Sequence, residues 1–354
     1  MSELIRRLGR TALGRVAPVL RRITMLAALA LVAAAPPAAA AEPPVIRLAV
    51  LKFGTVNWLT ETVVAEGLDR AAGFRLEVVP LAGKAATTIA FQSGDADAIV
   101  TDWVWALGRR AAGDDLRFAP YSTALGALMT APDAGIDGLC DLDGRRIGVV
   151  GGALDKSWLV YEALAARTCG FSLPARTETL FGAPPLMSEQ LRAGRVEAVS
   201  TYWHFAARLS AGGMTRALDV VGALEALGIT PAPPLVGFVW RADRQDPAVM
   251  GAFLRAIEAA SARLAEDDAI WDRLRPLMRA DDDAAFIALR DAYRAGIPDA
   301  WEAEDTAAAE GLYRVLVETG GEAFARGAGT WDATLFETPA AVPLAGGGDA
   351  ANGG

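Results

Sequence analysis

Two tripeptides a hundred residues apart, Thr101-Asp102-Trp103 and Thr201-Tyr202-Trp203, set an acid or a phenol beside an indole at the end of a short apolar run. Trp58 and Trp158 repeat at the same distance. The first follows Gly54, Thr55 and Asn57, and the second follows a glycine pair with Asp155, Lys156 and Ser157; Lys84 and Thr87 come just after Gly83. Such groups hold a small molecule rather than transform it. Indole and phenol faces stack, carboxylate and ammonium meet opposite charge, and loop N–H groups ahead of helices receive anions. The candidate ligand contacts are therefore Gly54, Thr55, Asn57, Trp58, Lys84, Thr87, Asp102, Trp103, Asp155, Lys156, Ser157, Trp158, Tyr202 and Trp203. Trp58, Trp158 and Trp203 can equally be inward-facing residues of first helical turns; Trp103, beside Asp102, is expected to face the ligand. Asp102 and Asp155 next to indoles would suit an amine through cation–π contact. The helix N-termini would suit a sulfonate or carboxylate, and the sequence leaves that choice open.

Catalytic sets are not visible. The run from Gly151 to Ser157 ends like a phosphate loop, but that motif needs glycine at positions 150 and 155, which are Val150 and Asp155. Nucleotide hydrolysis is excluded on that ground. His204 is the single histidine, which leaves no zinc set and no Ser-His-Asp or Cys-His arrangement. Asp281-Asp282-Asp283 reads as a helix cap, and the Asp95 to Ala98 run lacks the glycine of a calcium loop. The expectation is a non-enzyme with no cofactor and no metal.

These residues need elements to position them. Apolar runs at Val45–Leu51, Arg75–Pro80, Asp97–Thr101 and Leu116–Ser122 alternate with helical patterns at Trp58–Ala72 and Ala85–Gln92, and another helix begins near Trp103. The order recurs with strands Arg146–Val150, Thr177–Phe181, Val196–Thr201 and Arg216–Val221, and helices Lys156–Arg167, Pro185–Ala193 and Trp203–Ala211. Leu235–Trp240 reads as a strand returning to the first half, followed by four helices up to Thr319. A duplicated order of strand, loop and helix implies an α/β protein of two lobes, each a mostly parallel sheet flanked by helices. The expected division is 42–125 with 235–337 for lobe 1 and 126–234 for lobe 2. The chain crosses near Tyr121–Thr130 and Pro234–Trp240, a two-strand hinge.

The chain carries 34 basic and 43 acidic residues. Six arginines and an apolar stretch at Met25–Ala35 precede Ala39-Ala40-Ala41, the pattern of a signal peptide spanning 1–41 and cleaved near Ala41. Removing it leaves 28 basic against 42 acidic residues, a formal net of −14, which argues against nucleic acid as a partner. In an oxidising compartment Cys140 and Cys169 are expected to form one disulfide, because the helix after Lys156 returns toward the start of the strand at Arg146. Residues 338–354, rich in Ala, Gly and Pro, are expected to be a disordered tail.

Four segments carry a resemblance. They are Arg47 to Trp58 (RLAVLKFGTVNW), Gly94 to Trp103 (GDADAIVTDW), Asp141 to Gly152 (DLDGRRIGVVGG) and Leu191 to Val199 (LRAGRVEAV). Together with the duplicated lobes they resemble the periplasmic substrate-binding proteins of ABC importers for nitrate, taurine, aliphatic sulfonates and thiamine pyrimidines. The resemblance implies a type II periplasmic binding fold that closes like a Venus flytrap on a small-molecule solute. It also implies a periplasmic monomer docking on an ABC permease at the inner membrane. The alternatives are an exported accessory or sensor protein, or an exported enzyme reusing the fold.

Overall fold

The computed structural model describes residues 42–299 and 301–337. The expected cleavage site and tail lie outside the described residues.

Val45–Leu51 (β1) buries Ile46, Leu48, Ala49 and Val50 on both faces, and Ala98–Asp102 (β3) buries four of its five residues. Strands so buried can sit only at the centre of a parallel sheet covered on both sides. With Arg75–Leu81 (β2), Leu116–Ser122 (β4) and Val236–Arg241 (β10) they form a five-stranded sheet in the order β2-β1-β3-β10-β4, with β10 antiparallel to both neighbours. The second sheet repeats that plan. Ala127–Thr130 (β5), Arg146–Val150 (β6), Glu178–Gly182 (β7), Ala198–Thr201 (β8) and Thr215–Asp219 (β9) run β7-β6-β8-β5-β9, with β5 antiparallel to its neighbours. Each sheet thus takes its one reversed strand from the segment that has just crossed from the other. The chain passes from one sheet to the other twice, from β4 to β5 and from β9 to β10.

The helices follow the same doubling. The first half holds Val56–Ala65 (α1), Leu68–Ala71 (α2), Lys84–Ser93 (α3) and Trp103–Ala111 (α4); the second holds Lys156–Thr168 (α5), Leu173–Arg176 (α6), Pro184–Arg192 (α7), Trp203–Ala211 (α8) and Val220–Ala226 (α9). One helix expected over Trp58–Ala72 is two, because Gly67 takes the left-handed conformation at φ 65° and ends the first. The strand expected to reach Val221 stops at Asp219, where α9 begins.

After β10 come Pro247–Glu266 (α10), Asp268–Met278 (α11), Asp283–Ala295 (α12) and Ala303–Ala328 (α13), the last broken at Gly321. These helices straddle the two sheets: α10 and α11 pack on α1, α12 packs on α8, and α13 packs on both α4 and α5. Trp58, Trp203, Trp271 and Tyr293 interlock mostly edge to face where α1, α8, α11 and α12 meet, a joint of aromatic rings between the halves.

Cys140 and Cys169 are bonded, with 5.3 Å between their Cα atoms. The bridge ties the short helix Leu139–Leu142, ahead of β6, to the C-terminus of α5, so it secures the helix whose first turn carries Asp155 and Lys156. Replacing both cysteines by serine should lower stability by about 2–4 kcal/mol in the chain-entropy account of a loop this size. An unchanged denaturant midpoint in the oxidised wild type and the double variant would refute that value.

Candidate functional site

Residues at or just past the carboxyl ends of β1, β3, β6 and β8 line one cavity, the place where parallel α/β sheets hold ligands. The cavity measures about 300 Å³. From the first half Gly54, Thr55, Lys84, Thr87 and Asp102 face it; from the second, Asp155, Lys156, Ser157, Tyr202 and Trp203. The crossing segments supply Tyr121, Ser122, Leu125, Gly126 and Val236.

Asp102 is the centre of the site. As the last residue of β3 it caps α4, accepting from the Trp105 N–H at 2.9 Å through Oδ1. Its Oδ2 accepts from Lys84 Nζ at 2.9 Å and lies 3.2 Å from Lys156 Nζ. Each lysine is the first residue of its helix, α3 in one half and α5 in the other, so one carboxylate oxygen joins the two halves across the cavity. Burial alone would push the Asp102 carboxyl up, but Lys156 and Lys84 outweigh it and hold the group well below the usual carboxylate range.

Asp155 caps α5 through Oδ1, which accepts from the Ser157 and Trp158 N–H groups at 3.0 and 3.3 Å. Burial pushes its carboxyl up, against the pull of those N–H groups and of Lys156. Gly151, at φ 96°, sits beside it: a Cβ there would stand 2.7 Å from Asp155 Oδ2 and 3.0 Å from the Tyr202 hydroxyl. Only glycine leaves those two oxygens room to converge. The Tyr202 hydroxyl is itself pushed up to about 12 by burial and by the nearby carboxylates of Asp155 and Asp102. Thr55 and Tyr121 share a hydrogen bond of 3.0 Å, and the Thr101 hydroxyl, also at the cavity, is buried with no partner among the described residues.

His204 follows Trp203 on the cavity wall, its Nδ1 buried without a partner among the described residues. Burial, and then Arg208, push it down to about 4. The unfolded value is near 6.5, so between about 4 and 6.5 the unfolded chain binds the extra proton and stability rises with pH, levelling above that window. His204→Gln should flatten that rise when denaturant midpoints are compared across it. A rise as steep in the variant would assign it to another group.

Four sequence-based candidates lie away from the cavity. The Asn57 side-chain amide donates to the Leu51 and Gly54 carbonyls and ties the loop after β1. Trp58 is buried in the aromatic joint. Trp158 is fully buried, and so is Trp103, whose Nε1–H donates to the Pro234 carbonyl at 3.0 Å. The expectation that Trp103 faces the ligand is therefore corrected: the first turn of α4 aims its ring at the space under Trp331 and Phe336. Only Tyr202 and Trp203 of the five expected aromatics reach the cavity, and Tyr121 joins them. Tyr121 to Gly126 could have been found, because a segment crossing between lobes must line what lies between them.

No protein-family model matches the chain, and no curated protein matches it in sequence. Solved structures match it in fold. The periplasmic aliphatic sulphonate binding protein SsuA of Escherichia coli superposes with a TM-score of 0.62 at 16% identity, over 79% of this chain and 88% of that one. The alkanesulfonate-binding protein SsuA of Xanthomonas axonopodis pv. citri, bound to MOPS, gives 0.57 at 19% identity, over 78% and 94%. The desulfurization enzyme DszB gives 0.55 at 17% identity, over 78% and 92%. The fold is thus the two-lobed α/β fold of periplasmic binding proteins, and it is one that an enzyme also uses.

Proposed function

We propose that the chain is the solute-binding component of an ABC importer, which captures a small organic solute between its two lobes and presents it to a permease at the inner membrane. One observation carries this reading: a lysine from each half meets on a single buried aspartate at the wall of an interlobe cavity. A site shared in this way is complete only when the halves are together, so occupancy and lobe closure are linked. The ligand contacts in this reading are the cavity-facing residues from Gly54 to Trp203 named above, joined by Tyr121 and Ser122. Two of the fold neighbours are sulfonate-binding proteins, which makes organic sulfonates the first class to test.

The reading is non-enzymatic. Both cysteines are committed to the disulfide, His204 is held neutral, Asp102 is engaged by the cap of α4 and by two lysines, and Asp155 caps α5 through one oxygen.

Thermal shift against sulfonates, carboxylates, amines and pyrimidines tests the proposal. A saturable ligand at a hundredfold excess over its Kd should add about 2.7 kcal/mol of stability. The liganded form should also scatter X-rays as a more compact particle. A library that moves neither the melting temperature nor the radius would sink it. The periplasmic location is checked by the mass of the exported protein, expected to begin at Glu42; an N-terminus retaining Met25–Ala35 would count against it.

A further inference from the structure

Four charged side chains face the cavity, Lys84, Lys156, Asp102 and Asp155, and their formal charges cancel. The other titratable groups on its wall are uncharged near neutral pH: His204 is pushed down to about 4, Tyr202 up to about 12, and Tyr121 is raised by burial. The wall therefore carries no net charge of its own.

The charges are also unevenly spread. Both ammonium groups lean on Oδ2 of Asp102, whose Oδ1 is occupied by the Trp105 N–H. Among the described residues neither lysine makes another ion pair, so each keeps N–H donors for an incoming anionic group. Asp155 is in the opposite position. Its Oδ1 is taken by the Ser157 and Trp158 N–H groups, while Oδ2, beside the Tyr202 hydroxyl, makes no hydrogen bond or ion pair among the described residues. Burial pushes its carboxyl up, against the pull of those N–H groups and of Lys156. The rings of Tyr202 and Trp203 border the same cavity.

We infer that the cavity is built for a solute neutral overall but carrying separate anionic and cationic groups: the anion on Lys84 and Lys156, the cation at the free oxygen of Asp155. The inference rests on the solute-binding reading and names the charge class of its solute. A bare anion would bring a second negative charge near Asp155 and leave that carboxylate unmatched. A bare cation would meet the two lysines.

Isothermal titration of the purified chain from Glu42 onward tests it, with matched sets of short sulfonates and carboxylates. Each is taken bare and with an amino or trimethylammonium group at the far end, beside the corresponding amines. The amino-anions should bind about tenfold or more tighter than their bare counterparts, the size expected of one desolvated charge pair. Asp155→Asn keeps the helix cap and removes the charge, so the preference should shrink to parity or reverse. Asp155→Ser, another capping residue, repeats the test if the first variant folds poorly. Bare anions binding as well as amino-anions in the wild type would overturn the charge class while leaving solute binding intact. So would a preference unmoved in both variants. Silence from every class would overturn both readings.

Discussion

Trp103→Ala should lower folding stability by about 3–5 kcal/mol, the range for deleting a large buried aromatic. Solute affinity, measured under conditions where the variant is folded, should stay near the wild-type value. The ring is fully buried on α4, and its edges meet Trp331 and Phe336 at centroid distances of 5.8 and 6.1 Å. Removing it opens a void in the layer that holds the 331–336 segment onto the first sheet. The same change strips the N–H partner from the buried Pro234 carbonyl, immediately before β10 crosses back. Trp103→Phe separates the two contributions, because it restores much of the volume but not the donor; it should cost about 1–3 kcal/mol. Urea titration of both variants checks the order. A Trp103→Ala protein of normal stability that had lost its ligand would put the ring back at the site.

The sequence alone suggests the reverse outcome for this residue, and the reason is physical. The hundred-residue register is correct as topology: Thr101 and Thr201 end β3 and β8, and Trp103 and Trp203 open α4 and α8. Matching places in two sheets do not have matching neighbours. Trp103 is roofed by Trp331 and Phe336, whereas Trp203 packs against Trp58 and Tyr293 and still borders the cavity. The α/β alternation, the two sheets and the disulfide were legible because each follows from local patterning or from the length of one strand–helix unit. Facing depends on the packing of α10 to α13, which local patterning does not encode. The lysines show the same limit. Lys84 and Lys156 are visible as first-turn residues, but their meeting on Asp102 requires the relative placement of two sheets.

That meeting gives the second large effect. Asp102→Ala should cost about 3–5 kcal/mol, the usual result of removing one partner from a buried ion pair. The contributions are unequal. The Lys84 side chain is 59% exposed and can turn to solvent, so its share is small; Lys156, at 22%, loses its one ion-pair partner among the described residues. Loss of the cap on α4 adds about 1 kcal/mol, and Asp102→Asn, which keeps the cap, should recover about that much. The pH dependence fixes the cause. The folded carboxyl is depressed, so its contribution is fully present above the unfolded value near 4 and is lost as pH falls from there toward the folded one. The gap in stability between wild type and Asp102→Asn should therefore be widest near neutral pH and shrink below about pH 4. The interlobe half of the pair adds a readout that a purely local cap would not move. Without Asp102 the two ammonium groups repel across the cavity, and the unliganded chain should show a larger radius of gyration by X-ray scattering. Lys156→Met in the Asp102→Asn background removes that repulsion and should restore compactness together with part of the lost stability. A double variant no more compact than Asp102→Asn would mean that Asp102 serves only as the cap of α4.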